Sequence, residues 1–301
     1  MARPTFRAAA VTVRVPASSA NLGPGFDTCG LALGLHDHVR VRVVDSGLTV
    51  DIAGEGAESL KRTERNLVVT ALRAAFDSIG GQPRGLVLEC ANRVPQSRGL
   101  GSSAAAVVAG VLAARELVTA ELDDDWALQV ACEVEGHPDN VAACLLGGFT
   151  VAWTEPDGHV RATALPVSPE LHPVLFVPSG ATQSTKASRA TLPEQVSLGD
   201  AAFTSGRSAL LSTALAGRSD LLMAATEDRL HQPVRLANQP RGGALLARLR
   251  SAGHAAVLSG SGPTVLALCP TVEQAQAAAA LVTRGFEALA LPVDHDGATL
   301  E

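Results

Sequence analysis

Apolar residues recur with a period of two over several short stretches in the first third of the chain. Ala9 to Val15 alternates, and Val39 to Val44 (VRVRVV) sets apolar side chains on one face and arginines on the other, as a half-buried strand requires. Leu48 to Ile52 and Leu86 to Cys90 read the same way. Between the first two strands lies SSANLGPGFDTCG, Ser18 to Gly30, too rich in Gly, Pro, Asn and Ser for a regular element, so a loop is expected there. The period changes to helical over Asn66 to Ile79 (Leu67, Thr70, Ala71, Ala74), and Gly80-Gly81 stops that helix.

A polar loop over 92–99 then leads into a long Ala/Val/Leu helix from about Gly101 to Leu117. Asp123 is suited to N-cap a helix running to about Glu135. His137-Pro-Asp-Asn140 starts a short helix, ended by Gly147-Gly148 before a strand at 149–153. Thr154 to Pro169, with Glu155-Pro-Asp-Gly158 as a turn, is the expected seam between two domains, 1–154 and 155–301. Beyond it the pattern predicts a strand at 172–178, helices over 195–216, 219–230 and 243–252, strands at 254–259 and 263–269, a helix over 271–284 and a strand at 287–292. With its helices lumped, that order is βαββαβ, the split arrangement of a ferredoxin-like layer, so the class is α+β.

Length agrees with two domains, since 301 residues is near the size at which single cores stop growing. The charge is −6 with no basic block, which argues against nucleic acid or an anionic membrane as partner. The longest wholly apolar run, Ala104 to Ala114, is too short to cross a bilayer. Five cysteines with no CxxC pair predict buried, reduced thiols, and with them a soluble, cytoplasmic protein. Arginines number 22 but lysines only two, Lys61 and Lys186, so any site needing an ammonium has two places to find one.

The most informative stretch is PQSRGLGSSAA, Pro95 to Ala105, which empties into the apolar helix. Gly99 and Gly101 allow close backbone approach, and Ser102 and Ser103 add hydroxyls beside the unpaired amides of a first helical turn, a seat for phosphate. A P-loop would need GxxxxGK[ST], and neither lysine is near. A dinucleotide fingerprint GxGxxA matches Gly99, Gly101 and Ala104, with Glu121 for a ribose, but Pro95 to Arg98 separates strand from glycine. The remaining reading is a lysine-free phosphate loop in which helix dipole, amides, serines and a divalent ion neutralise the charge.

That reading coincides with a resemblance. PQSRGLGSSAA is similar to the second motif of the GHMP kinases, and their other two motifs are present in order, as PASSANLGPGFD at Pro16 to Asp27 and LSGSGPT at Leu258 to Thr264. EGHPDN (Glu135 to Asn140), STKASRATLP (Ser184 to Pro193) and LHQPVR (Leu230 to Arg235) resemble the branch of that family that phosphorylates homoserine. The resemblance implies a ribosomal-protein-S5-like N-terminal domain and a ferredoxin-like C-terminal one. It implies ATP and Mg²⁺ as cofactors, L-homoserine as acceptor, a place in threonine biosynthesis, and a homodimer. Alternatives are another small-alcohol kinase of the family, such as one acting on mevalonate, or a non-catalytic nucleotide-binding member.

Residue by residue, the resemblance implies that Pro95, Gln96, Ser97, Arg98, Gly99, Leu100, Gly101, Ser102, Ser103, Ala104 and Ala105 cradle the triphosphate. Mg²⁺ would be held by Ser102 or Ser103 with a glutamate, Glu135 first and Glu133 as its competitor. A zwitterionic acceptor needs a carboxylate for its ammonium and arginines for its carboxylate. Asp27 beside Asn21 is implied for the former, Arg189 and Arg235 for the latter, with His137 and Asn140 close by. Asn140 takes the place of a catalytic aspartate and would orient the hydroxyl, with Asp139 as the rival base. The turn at Ser259 to Pro263 is expected to pack on the phosphate loop. His36 and His38 are expected as exposed strand residues and Cys132 and Cys144 as packing groups, none of them metal ligands.

Overall fold

The computed structural model describes residues 4–180 and 182–301. The alternating stretches of the first third form β1 (Val11–Asn21), β2 (Gly25–Val44), β3 (Gly47–Gly54) and β4 (Gly85–Asn92). Strands β1 and β4 flank β2 antiparallel, and β3 joins β4 in parallel with Leu48 opposite Leu86. The helices α1 (Leu67–Ser78), α2 (Ser102–Leu117), α3 (Asp124–Glu135) and α4 (Asp139–Leu146) close one core over this sheet. The predicted cap is in place, with Asp123 accepting the amide of Trp126, and Asn66 caps α1 by accepting that of Val68. Helix α2 is apolar nearly all round and runs through the middle of the core. Its Gly110 lets it approach α1, since a Cβ there would stand 2.6 Å from the Val68 carbonyl oxygen.

Two expectations change here. The Ser18–Gly30 stretch is a hairpin tip with a short turn at 22–24, because strand pairing persists through Ser19 opposite Leu31 and Ala20 opposite Gly30. Positive φ at Asn21, Leu22 and Asp27, together with a register shift after Ala20, lets a Gly- and Asn-rich segment stay in a ladder while bending. The turn Glu155–Gly158 lies inside a hairpin, where β5 (Phe149–Thr154) pairs with β2 and with β6 (Val160–Leu165). Sheet membership therefore passes the expected boundary at 154/155 and crosses only after Leu165.

The second sheet contains β7 (His172–Pro178), β8 (Ala255–Leu258), β9 (Val265–Cys269) and β10 (Phe286–Ala290), in the order β10-β7-β9-β8. This is the ferredoxin-like order, as predicted. Its inner strands read as unbroken apolar runs because both faces are covered. Leu245 and Leu249 of α9 (Pro240–Ser251) with Ala275 and Ala278 of α10 (Val272–Ala279) pack on one face. On the other face Leu211 and Leu215 of α6 (Leu198–Leu215) join Leu22, Leu31, Leu33 and Phe149 of the first sheet in a shared core.

The helix predicted over 219–230 is a 3-10 turn followed by α7 (Leu222–Ala225). It breaks because Asp228 gathers the amides of Leu230 (2.9 Å), His231 (3.0 Å) and Gln232 (2.8 Å), starting the unpredicted α8 (Gln232–Ala237). Helix α5 (Thr185–Arg189) and the strand β11 (Thr299–Leu300), which returns to pair with β1, were also not anticipated.

Candidate active site

The three glycine-rich motifs meet between the sheets. Ser18 N–H donates to the Leu100 carbonyl (3.0 Å) and Gly260 N–H to that of Ala20 (3.1 Å). The Ser259 hydroxyl lies 2.6 Å from the Gly99 carbonyl and 2.8 Å from Ser19 Oγ. The expectation that the third motif packs on the phosphate loop therefore holds. Close packing explains the glycines: at Gly99 (φ 77°) a Cβ would press on the Ser259 carbonyl oxygen, and at Gly101 (φ 67°) on Ser18 Oγ.

Gly101 is also the N-cap of α2 and supplies no side-chain acceptor to the first turn. The amides at this mouth remain available, and they open on a cavity of about 730 Å³. Gln96, Ser97, Gly99, Gly101, Ser102, Ser103 and Ala105 line it. Leu100 and Ala104 are buried in the cores beneath, and Pro95 and Arg98 do not line the cavity.

One end of the cavity is apolar, walled by Val39, Ile52, Leu60, Leu67, Val68 and Ala106. Ser103 Oγ donates to Glu135 Oε1 at 2.5 Å at the α2 mouth. Burial pushes the Glu135 carboxyl up from its ordinary pKa, against the Ser103 hydrogen bond that pulls it down. A hydroxyl and a carboxylate at the helix mouth are hard oxygen donors and fit Mg²⁺, which takes its remaining ligands from phosphate and water. Glu133 is exposed and does not line the cavity, since it faces away from Glu135 across the helix.

The other end is polar. Arg189 forks onto Asp27 through Nη1 and Nη2, both at 2.7 Å. The Asn21 side chain accepts the Asp27 amide (3.0 Å) and donates to the Gly260 carbonyl (3.1 Å), fixing the strained hairpin tip that carries Asp27. Asp139, 3% exposed, accepts from His137 Nδ1 (3.0 Å) and from the Asn140 amide (2.8 Å). The hydrogen bond to that carboxylate raises the His137 pKa, against burial that lowers it. Ser18 Oγ donates to Asn140 Oδ1 (2.9 Å), which leaves the Asn140 NH₂ for the cavity. Arg235, 2% exposed, borders the same space, and burial lowers its pKa.

Lys186, Phe26 and His231 were missed. Lys186 sits on α5, whose approach is anchored by Gln183 N–H to the Ser97 carbonyl (2.9 Å), so this exposed lysine lines the cavity although it is remote in sequence from the phosphate loop. Phe26 lies under both guanidinium groups, 5.5 Å from Arg189 and 5.3 Å from Arg235, and stacks on His231 at 5.1 Å. The signals were present, since Phe26 adjoins Asp27 and His231 is one helical turn before Arg235.

His36 is not the exposed residue expected: its Nε2 is 2.6 Å from Asp294 and 2.7 Å from Arg14, tying the C-terminal segment to the first sheet. His38 pairs with Glu301 at 3.0 Å. Cys132 and Cys144 are buried in the first core as expected, and burial pushes the Cys132 thiol up to about 12. No group of three or more His, Cys, Asp or Glu fit to hold a metal occurs among the described residues. Nor, among them, is any helix long and apolar enough to cross a membrane.

A helix mouth laced between two glycine-rich turns, above a split cavity, is the architecture of the GHMP kinases. The N-terminal domain signature of that family matches residues 66–148 and its C-terminal signature residues 207–288. A homoserine kinase from Streptomyces coelicolor is 55% identical over 303 residues, covering 100% of this chain and 97% of that protein. The crystal structure of homoserine kinase from Cytophaga hutchinsonii superposes with a TM-score of 0.85 at 27% identity, covering 99% of this chain and 98% of the other. L. major mevalonate kinase shares the fold, with a TM-score of 0.69 at 17% identity and 97% of each chain covered. The chain belongs to the homoserine kinase family of the GHMP kinases.

Proposed function

We propose that this protein transfers the γ-phosphoryl group of ATP to the side-chain hydroxyl of L-homoserine, giving O-phospho-L-homoserine on the route to threonine. The observation that carries the reading is the polar end of the cavity, where Asp27 and two arginines stand together beside the phosphate loop. A zwitterion suits this arrangement. Its ammonium meets Asp27 and its carboxylate meets Arg189 and Arg235, so the ion pair opens without leaving a charge unmatched. A hydroxy acid without an ammonium, such as mevalonate, has no use for Asp27.

In this reading the apolar end receives the nucleoside and the α2 mouth the triphosphate. Ser103 and Glu135, with Ser102 beside them, are the residues that would hold Mg²⁺, which when bound neutralises charge on the phosphate oxygens. Lys186 adds an ammonium at the rim, so the site is not as free of lysine as the sequence implied. The Asn140 NH₂ orients the acceptor hydroxyl. Asp139 is committed to His137 and to the Asn140 amide, which supports catalysis by positioning and electrostatics without a dedicated base. A cytoplasmic homodimer belongs to the same proposal, and light scattering of the pure protein tests the dimer.

The direct test is ADP release with Mg-ATP across homoserine, threonine, serine, mevalonate and galactose. Turnover is expected with homoserine, and activity on mevalonate but not homoserine overturns the reading. An Asp139→Asn variant that keeps binding but loses several thousandfold in kcat would overturn the base-free account.

A further inference from the structure

Arg235 is buried but not fully satisfied. Its Nη1 donates to His231 Nδ1 and to the Gly260 carbonyl, both at 3.1 Å. A guanidinium Nη carries two hydrogens, so Nη1 is spent. Nε is buried with no hydrogen-bond partner among the described residues. Nη2 points the same way as the Nε hydrogen, and the two form the side-on fork that matches a carboxylate.

His231 is 1% exposed, and its ring is read unambiguously by its neighbours. Nε2 lies 2.7 Å from the Gly23 carbonyl, which can only accept, so Nε2 carries the proton. Nδ1 faces a guanidinium, which can only donate, so Nδ1 is bare. Stacking on Phe26 holds the ring plane.

We propose that His231, through its bare Nδ1, is a positioning residue that turns Arg235 so its Nε–Nη2 edge is presented side-on to the acceptor's carboxylate. The inference rests on the proposed reading of that acceptor as homoserine. Burial supports it by lowering the His231 pKa, which keeps a second proton off the ring. The opposing arrangement would put two donors face to face. Arg189 differs in kind, because its two Nη groups already meet Asp27 end-on.

Two substitutions separate the nitrogens. His231→Gln retains an N–H near the position of Nε2 and removes the acceptor. His231→Asn retains an oxygen near Nδ1 and gives up the contact to Gly23. Circular dichroism melts establish that both variants fold at the assay temperature. Expected for H231Q is a homoserine KM raised about tenfold or more, with the ATP KM and kcat little moved. H231N should keep the homoserine KM within about threefold of wild type. With 3-aminopropan-1-ol, which is homoserine without its carboxylate, the rate of phosphorylation at saturating ATP should be equal in wild type and H231Q. Equal loss in both variants, or a matching loss with 3-aminopropan-1-ol, reduces His231 to a structural role and overturns the proposal. Nitrogen-15 spectra of the wild-type protein give a second readout that needs no variant: a protonated Nδ1 on His231 also overturns it. Wild-type protein that fails to turn over homoserine defeats the underlying reading instead, and the nitrogen spectrum tells the two failures apart.

Discussion

Gly101→Ala is the sharpest perturbation of the helix mouth. Two costs add at this position. The residue sits at φ 67°, left-handed space that costs an alanine about 1–2 kcal/mol. Its new Cβ also falls on Ser18 Oγ and 3.1 Å from Asn140 Oδ1, so the Ser18 hydroxyl must swing away from a hydrogen bond of 2.9 Å. Losing that bond in a half-buried setting costs about 1 kcal/mol more. A total of about 2–3 kcal/mol is expected, to be read as a lowered urea midpoint at unchanged slope.

Strain alone must be separated from the clash, and Gly80 provides the control. It has φ 83°, lies outside the cavity, and a Cβ there meets nothing within 4 Å. Gly80→Ala should cost about 1 kcal/mol and leave kcat unchanged. Gly101→Ala should lower kcat at least about tenfold with both substrates saturating, because Asn140 no longer holds the acceptor in line. Equal stability losses for the two variants, with kcat intact in both, would refute the account of why glycine is required at the mouth of α2.

Other consequences are quickly measured. Glu135→Gln should lower kcat by about a hundredfold and shift the Mg²⁺ requirement upward, while Glu133→Gln stays within about twofold; the reverse order would exchange their roles. Lys186→Ala should raise the ATP KM about three- to tenfold at low salt, a gap that narrows as salt screens an exposed ammonium, and a salt-independent effect would speak against a charge role. The depressed pKa of His231, set by its burial and opposed by Asp228, makes the native state less ready than the unfolded chain to bind a proton there. Stability is then complete above the ordinary histidine value of 6.5 and is lost as pH falls through it toward the folded pKa, at up to about 1.4 kcal/mol per pH unit. Urea titrations of wild type and H231Q between pH 5 and 7.5 should show this slope only in wild type.

Much of the fold was legible because local signals and tertiary demands agreed. The Asp123 cap, the helical spacing of 66–79, the glycine stops and the apolar runs of the second sheet each fixed an element through its own residues. What escaped was decided from a distance. The Ser18–Gly30 stretch has loop composition, yet it is a strand pair because β5 and the second sheet hold the hairpin from both sides. Strand β6, half exposed along its length, exists because β5 offers it an edge. Likewise Asp228 is an ordinary acid in the sequence and becomes a helix start only because three amides converge on it.

The site divides along the same line. Side chains whose function follows from their own charge, such as Asp27, Arg189 and Arg235, stand out in the sequence because they fall in strings that resemble the family's and carry the charges a zwitterion needs. Residues that work on those charges do not. Nothing in the string LHQPVR says that His231 must leave one nitrogen bare, since that follows from a carbonyl on the hairpin tip, 208 positions away, claiming the other. The charge balance of the cavity is likewise a property of the fold. Asp27 is matched by Arg189, and Asp139 and Glu135 share the single imidazole of His137 at 3.0 and 3.9 Å, while Arg235 keeps an open edge. The carboxylate that shares its histidine and the guanidinium with an open edge lie at the two places where a cation and a carboxylate are called for. A sequence supplies the members of such a set, but only the fold shows which of them already cancel and which remain to bind.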